Sequence, residues 1–172
     1  TMTQIDDAIA SVKAKMAAYD EQNTDAANPK DKTVLITNPS FASNNMTGWS
    51  GTSADFQSYT DAEFYQKKFN FYQDLKSIPN GVYAMSLQAF YRAGYSDVSK
   101  KNYEAGTGKL ATIYTKIGTD SLTSAIKNAF ADAITTPLGM NESTVDGKTI
   151  PNNMETAEKY FTNGLYNNTV FF

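Results

Sequence analysis

Apolar positions along the chain change their period from one stretch to the next, and each period predicts an element. Ile5, Ile9, Val12, Met16 and Tyr19 recur at alternating intervals of four and three, the single stripe of an amphipathic helix. Thr3 is the expected N-cap, with Asp6 and Asp7 near the positive end of the helix dipole. A lone helix of about 17 residues is marginal in water, so this one is expected to dock on the rest of the chain or on an upstream bundle. Residues 20–32, DEQNTDAANPKDK, carry charge, Asn and Pro with little apolar content and read as a linker. Residues 1–32 are therefore set apart from 33–172.

From Thr33 onward the period shortens. TVLIT reads as a first strand, ended by Pro39, and is followed by turn-rich SNNMTG and Trp49. Pro79-Asn80-Gly81 predicts a turn, since Pro presets φ and Asn or Gly accepts a positive φ. VYAMSLQAFYR then alternates, with Tyr83, Met85, Leu87, Ala89 and Tyr91 on one face and Ser86, Gln88, Phe90 and Arg92 on the other. Residues 94–109 read as a polar loop and LATIYTKIG as a further strand. DSLTSAIKNAFADAIT places Leu122, Ala125, Ile126, Ala129, Ala133 and Ile134 on one helical face, so a helix is expected there. Pro137 to Pro151 read as a loop. Asn153 should then cap a short helix, METAEKYFTN, closed by Gly164, and LYNNTVFF should be a strand. Strands broken by one or two inserted helices predict a mainly β protein, an antiparallel β-sandwich behind an N-terminal helix.

Composition narrows the chemistry. The chain has 172 residues, of which none is His or Cys, which excludes a Ser-His-Asp triad, a thiolate nucleophile and a zinc finger. A net charge of −3 argues against an electrostatic grip on nucleic acid or anionic lipid. No apolar run approaches the ~20 residues of a membrane span. Area scaling for this mass predicts roughly 8,000 Å² of exposed surface, enough burial for a core without staples. One Trp, 11 Tyr and 10 Phe make the chain rich in rings, and Tyr suits half-wet recognition surfaces as well as sheet packing.

The run TNPSF at 37–41, Gly48-Trp49, and FYQDLKSIPNGVYAMSLQAFYRAG at 71–94 form an ordered set of motifs. LATIYT at 110–115 and IPNNMETAEKYFTNGLYNN at 150–168 extend it. This order resembles the galactose-binding-like jelly-roll domains of exported, glycan-handling proteins of gut anaerobes, over residues 33–172. The resemblance implies a non-catalytic carbohydrate-binding module, secreted or displayed on a bacterial surface, with a glycan as partner and no cofactor. Family members often carry an acidic residue after NPSF that suits a structural calcium ion, but Ala42 stands there. The family pattern also continues beyond Phe172. The apolar edge of 165–172 is therefore expected to meet a strand of another molecule, or to be covered by the N-terminal helix.

Candidate site residues follow from loop placement. Arg92 ends the best strand beside loop 94–109, which holds Tyr95, Asn102 and Tyr103; donors there can bind sugar hydroxyls while Tyr rings face pyranose C–H groups. Gln88 and Tyr59 are further candidates of the same kind. The competing reading is that Arg92 pairs with a carboxylate and the loop is solvated. Trp49 invites a sugar-stacking role, but a ring in this opening is expected in the core. Asp55, Asp61, Glu63, Asp74, Asp97 and Glu104 are scattered, and no spacing forces two into one cleft, so no hydrolase is expected. The alternative to glycan binding is a structural or protein-interaction spacer of a larger surface protein.

Overall fold

A computed structural model describes the backbone of residues 1–22 and 24–172; the side chains of residues 20–22 and all of Asn23, within the expected linker, lie outside the described residues. The chain divides into two compact units, Thr1–Thr37 and Asn38–Phe172.

The first unit is built on α1, Met2–Gln22. Its helix begins at Met2, so Thr3 lies inside it rather than capping it. Ile5, Ile9, Val12, Met16 and Tyr19 share the predicted stripe, and all five are exposed. After it Asp25 forms an Asx turn, its carboxylate accepting from the N–H groups of Ala27 and Asn28. TVLIT is not a strand. Thr33–Leu35 form one 3-10 turn, started by Asp31 Oδ1 accepting from the Thr33 N–H at 2.8 Å, and Val34 is exposed. A short β-branched run has no strand character without a partner to pair with.

The second unit begins with an aromatic cluster. Trp49 stacks on Phe71 at 4.8 Å and 4° between planes, and its Nε1 donates to the carbonyl of Asn38 at 3.2 Å. Phe41 touches Trp49, Phe56 and Phe71, and its backbone stands at φ 51°. β1 (Ser50–Gly51) pairs antiparallel with β2 (Phe71–Tyr72) beside this cluster. Gly51, at φ 96°, lies so close to the carbonyl of Asn70 that a Cβ would stand 2.0 Å from its oxygen.

The predicted strand at 82–92 is β3 (Ala84–Gln88) and β4 (Phe90–Tyr91), interrupted at Ala89. β3 pairs antiparallel with β10 (Asn167–Phe171), and Tyr83 and Phe172 continue the ladder with a reciprocal pair of bonds. Asn168 and Val170 point inward from β10 and are buried. β4 pairs parallel with β7 (Lys127–Asn128).

Three other expectations are corrected. Residues 94–109 are not a loop throughout: α2 spans Ser96–Glu104, with Asp97 in its first turn, Lys101 in its last and a Lys100–Glu104 pair along it. The helix expected at 120–135 is instead β6 (Asp120–Ala125), paired over six residues with β5 (Thr112–Ile117) around Gly118-Thr119. Gly118 supplies φ 59° at the first central position, as a II′ hairpin requires. Leu122 faces out, so the apparent helical stripe is not the buried set. Finally, the loop from Pro137 to Pro151 contains a hairpin of β8 (Glu142–Val145) and β9 (Lys148–Pro151), turned by Asp146-Gly147 at φ 50° and 71°.

α3 (Met154–Thr162) matches its prediction. Asn153 accepts from the Thr156 N–H at 2.9 Å in a capping box, and Gly164 at φ 77° follows the C-cap. Its inner face carries Met154, Ala157 and Tyr160 into the core, where Tyr166 stacks on Tyr160 and meets Phe90 at a tilt of 41°. Ala129, Phe130 and Ile150 form the neighbouring buried group.

The described residues therefore form three α-helices and ten short strands, joined in five two-stranded sheets of which none is closed. The class is mixed α and β. No helix of the described residues is long and apolar enough to cross a membrane.

Candidate functional site around Arg92

Arg92 leaves the end of β4 half-buried, which positions its guanidinium against the entry to α3. Nη1 donates to Asn152 Oδ1 at 2.6 Å and to the Asn152 carbonyl at 3.3 Å. Asn152 joins β9 to α3; its side-chain oxygen also accepts from Ser143 Oγ at 3.1 Å, and its N–H donates to Thr156 Oγ1 at 3.0 Å. The cap that starts α3 thus also fixes the acceptor for Arg92. Among the described residues no hydrogen bond engages Nε or Nη2 of Arg92, and no ion pair joins it to a carboxylate. The competing reading, Arg92 paired with a carboxylate, is not what the described residues show: its partner is the Asn152 amide and carbonyl.

The segment after β1 brings two more groups to this place. Burial lowers the Arg92 pKa, while Tyr65 and Glu63 act the other way, so both lie within electrostatic reach of the guanidinium. Tyr65 is 66% exposed, with its hydroxyl accepting from Gln66 Nε2 at 3.1 Å. Glu63 is raised above the usual carboxylate range, by burial first and then by Asp55, with Arg92 and Lys67 opposing. Lys67 is itself engaged with Asp55 at 3.0 Å.

The carboxylates are less scattered than the sequence suggests. Asp55 and Glu63 form an isolated antiparallel bridge, and Asp61 lies buried where Glu63 and Glu158 both act on it. Asp61 is pushed up to about 7, by burial first, then by Glu158 and Glu63. No group of three acidic side chains among the described residues is arranged to hold a metal ion.

The other expected site residues are placed elsewhere. Tyr95 is the N-cap of α2 and 83% exposed; Tyr103, on the same helix, is half-exposed. Asn102 packs on the turn after α2: its carbonyl accepts from Thr107, and a Cβ at Gly108 would stand 2.8 Å from its Nδ2. No hydrogen bond, ion pair or ring contact among the described residues links Tyr95, Asn102 or Tyr103 to Arg92. Gln88 is a structural tie, its Nε2 donating to the carbonyls of Phe161 (2.6 Å) and Leu165 (3.1 Å) at the end of α3. Tyr59 is half-buried in the 55–63 loop, with its N–H on Phe56.

Of the sequence candidates, Arg92 alone has Glu63, Tyr65 and Asn152 around it, and none of those three is a candidate that the sequence offers for that site. One signal was available: Arg92 is the sole arginine in a chain otherwise provided with lysine. Arginine offers a planar fork that lysine lacks. Comparison of the chain with family models, with curated proteins and with solved structures returns no match.

Proposed function

We propose that this chain is a non-catalytic carbohydrate-binding module whose ligand contacts centre on Arg92. The observation that carries the reading is a half-buried guanidinium, held through one nitrogen by Asn152, beside the Glu63 carboxylate and the exposed Tyr65 ring. Sugar hydroxyls donate and accept at once. Free guanidinium N–H groups, a carboxylate and an amide answer both halves, while a Tyr face covers pyranose C–H groups. Such a site on open surface binds weakly and needs no cofactor. The motif order of residues 37–168 supports the same reading, and with it a galactose-binding-like jelly roll in a secreted or surface-displayed bacterial protein. A second reading, a structural or protein-interaction spacer, is favoured by the exposed apolar stripe of α1.

The test is a screen of neutral plant, mucin and host glycans by array, followed by calorimetry on the hits. Binding that falls about tenfold or more in Arg92→Ala and in Glu63→Gln, at unchanged fold, supports the proposal. A folded wild-type chain that binds none of these glycans overturns it and leaves the spacer.

A further inference from the structure

The loop that carries Glu63 toward Arg92 is fastened at two points. At its base, the Asp55 N–H donates to the Glu63 carbonyl at 2.9 Å and the Glu63 N–H to the Asp55 carbonyl at 2.8 Å. At its tip, Thr60 reaches α3, where Glu158 Oε1 accepts from both its N–H, at 3.1 Å, and its hydroxyl. Asp61 follows directly. It is 8% exposed, and its Oδ1, shielded from solvent, has no hydrogen-bond partner.

The charges around Asp61 are unfavourable to a carboxylate. Glu158 acts on it from α3 and Glu63 from its own loop. Among the described residues no cation pairs with Asp61: Lys67 is engaged with Asp55, and Lys159 of α3 with Glu155. The Asp61 N–H is the one group that favours its carboxylate; the unpartnered Oδ1, burial and the two negative neighbours outweigh it, because an uncompensated charge costs far more inside a protein than at its surface. A proton removes that charge and with it the repulsion from both neighbours.

We propose that the 55–63 loop is a proton-operated latch, closed on α3 while Asp61 is protonated and released when Asp61 ionises and repels Glu158. Because burial and the two neighbouring carboxylates raise Asp61 to about 7, the change falls in the neutral range. The sign follows from linkage: with its folded pKa above the unfolded value, Asp61 contributes stability that is fully present in acid and is lost as pH rises through about 7. The latch is read from the loop itself, so its test uses no ligand and can fail or succeed apart from the glycan reading.

The experiment is amide hydrogen exchange of residues 55–63 in the full chain at about pH 5 and about pH 9, corrected for intrinsic rates, with a carbon-13 titration of the Asp61 carboxyl. Expected are a fall in protection of about tenfold or more at the higher pH and an Asp61 midpoint near neutrality. Asp61→Asn should stay protected at both values. Glu158→Gln, which removes the repelling charge, should lower the Asp61 midpoint and keeps the test decisive if Asp61→Asn does not fold. Equal wild-type protection at both values, an Asp61 midpoint near 4, or a midpoint unmoved in Glu158→Gln would overturn the latch. So would loop protection at the higher pH that requires added calcium, since a cation rather than a proton would then be the occupant.

Discussion

Single residues carry two separable jobs in this chain. Arg92 spends one nitrogen on Asn152 and leaves the rest of its fork unengaged among the described residues. Arg92→Lys retains the charge but not the fork. If the proposed glycan binding holds, it should therefore weaken that binding about tenfold while costing only about 1 kcal/mol of stability, read by calorimetry and by denaturant melts in parallel. Tyr166 does the opposite work. It is fully buried, and its hydroxyl donates to the carbonyl of Ala129 at 2.7 Å. Burial, with Tyr160 and Asp132 nearby, holds that phenol protonated well above its usual range. Tyr166→Phe preserves the ring stack but strips the donor, so a loss of about 1–3 kcal/mol in urea unfolding is expected, with glycan binding unchanged. At this scale the sequence pointed to Arg92 because it ends an alternating strand. It could not point to Asn152, which lies 60 residues further on, nor to the approach of Tyr65.

Elements were legible where the signal was local and strong. α3 is the clearest case, since cap, capping box and closing glycine all lie within the segment itself. Asn153→Ala should cost about 1 kcal/mol, seen as a lowered melting midpoint, and Asn153→Ser should recover most of it. The Asp146-Gly147 hairpin has an equally local signal, Asp-Gly between short alternating runs, but its strands are four residues each and sit inside a longer polar stretch. A Cβ at Gly147 meets no atom within 4 Å, so Gly147→Ala tests the backbone alone. Its cost should be about 1–2 kcal/mol in denaturant melts, from φ 71°. The stretch 120–135 was misread for a different reason. Its apolar residues fit a helical stripe, but six residues of pairing with β5 outweigh that weak preference. α2 was hidden by its polarity: its inward residue is Ser99, buried and accepting from the Ala93 N–H at 2.7 Å.

The whole molecule should respond to pH through its acidic groups. Asp61 and Glu63 are both raised by burial, so the folded state holds more protons than the unfolded chain in the acid-to-neutral range. Stability should therefore decline as pH rises from about 4 to about 7, by an order of 1–2 kcal/mol once partner relaxation and screening are allowed for, and then level off. Denaturant midpoints measured across that range check this, and Asp61→Asn should flatten most of the slope. From the amino-acid order alone one could read the N-terminal helix, the strands at 84–91 and 167–171, the capped α3, and the exclusion of histidine and thiol chemistry. These depend on periodicity, caps and residue inventory, which act over a few neighbours. The contact of Arg92 with Asn152, the grip of Thr60 on Glu158 across 98 residues and the burial of Asp61 came only with the folded chain. They arise when loop closure brings distant segments together, and the cost of burying a charge depends on every group that arrives with it.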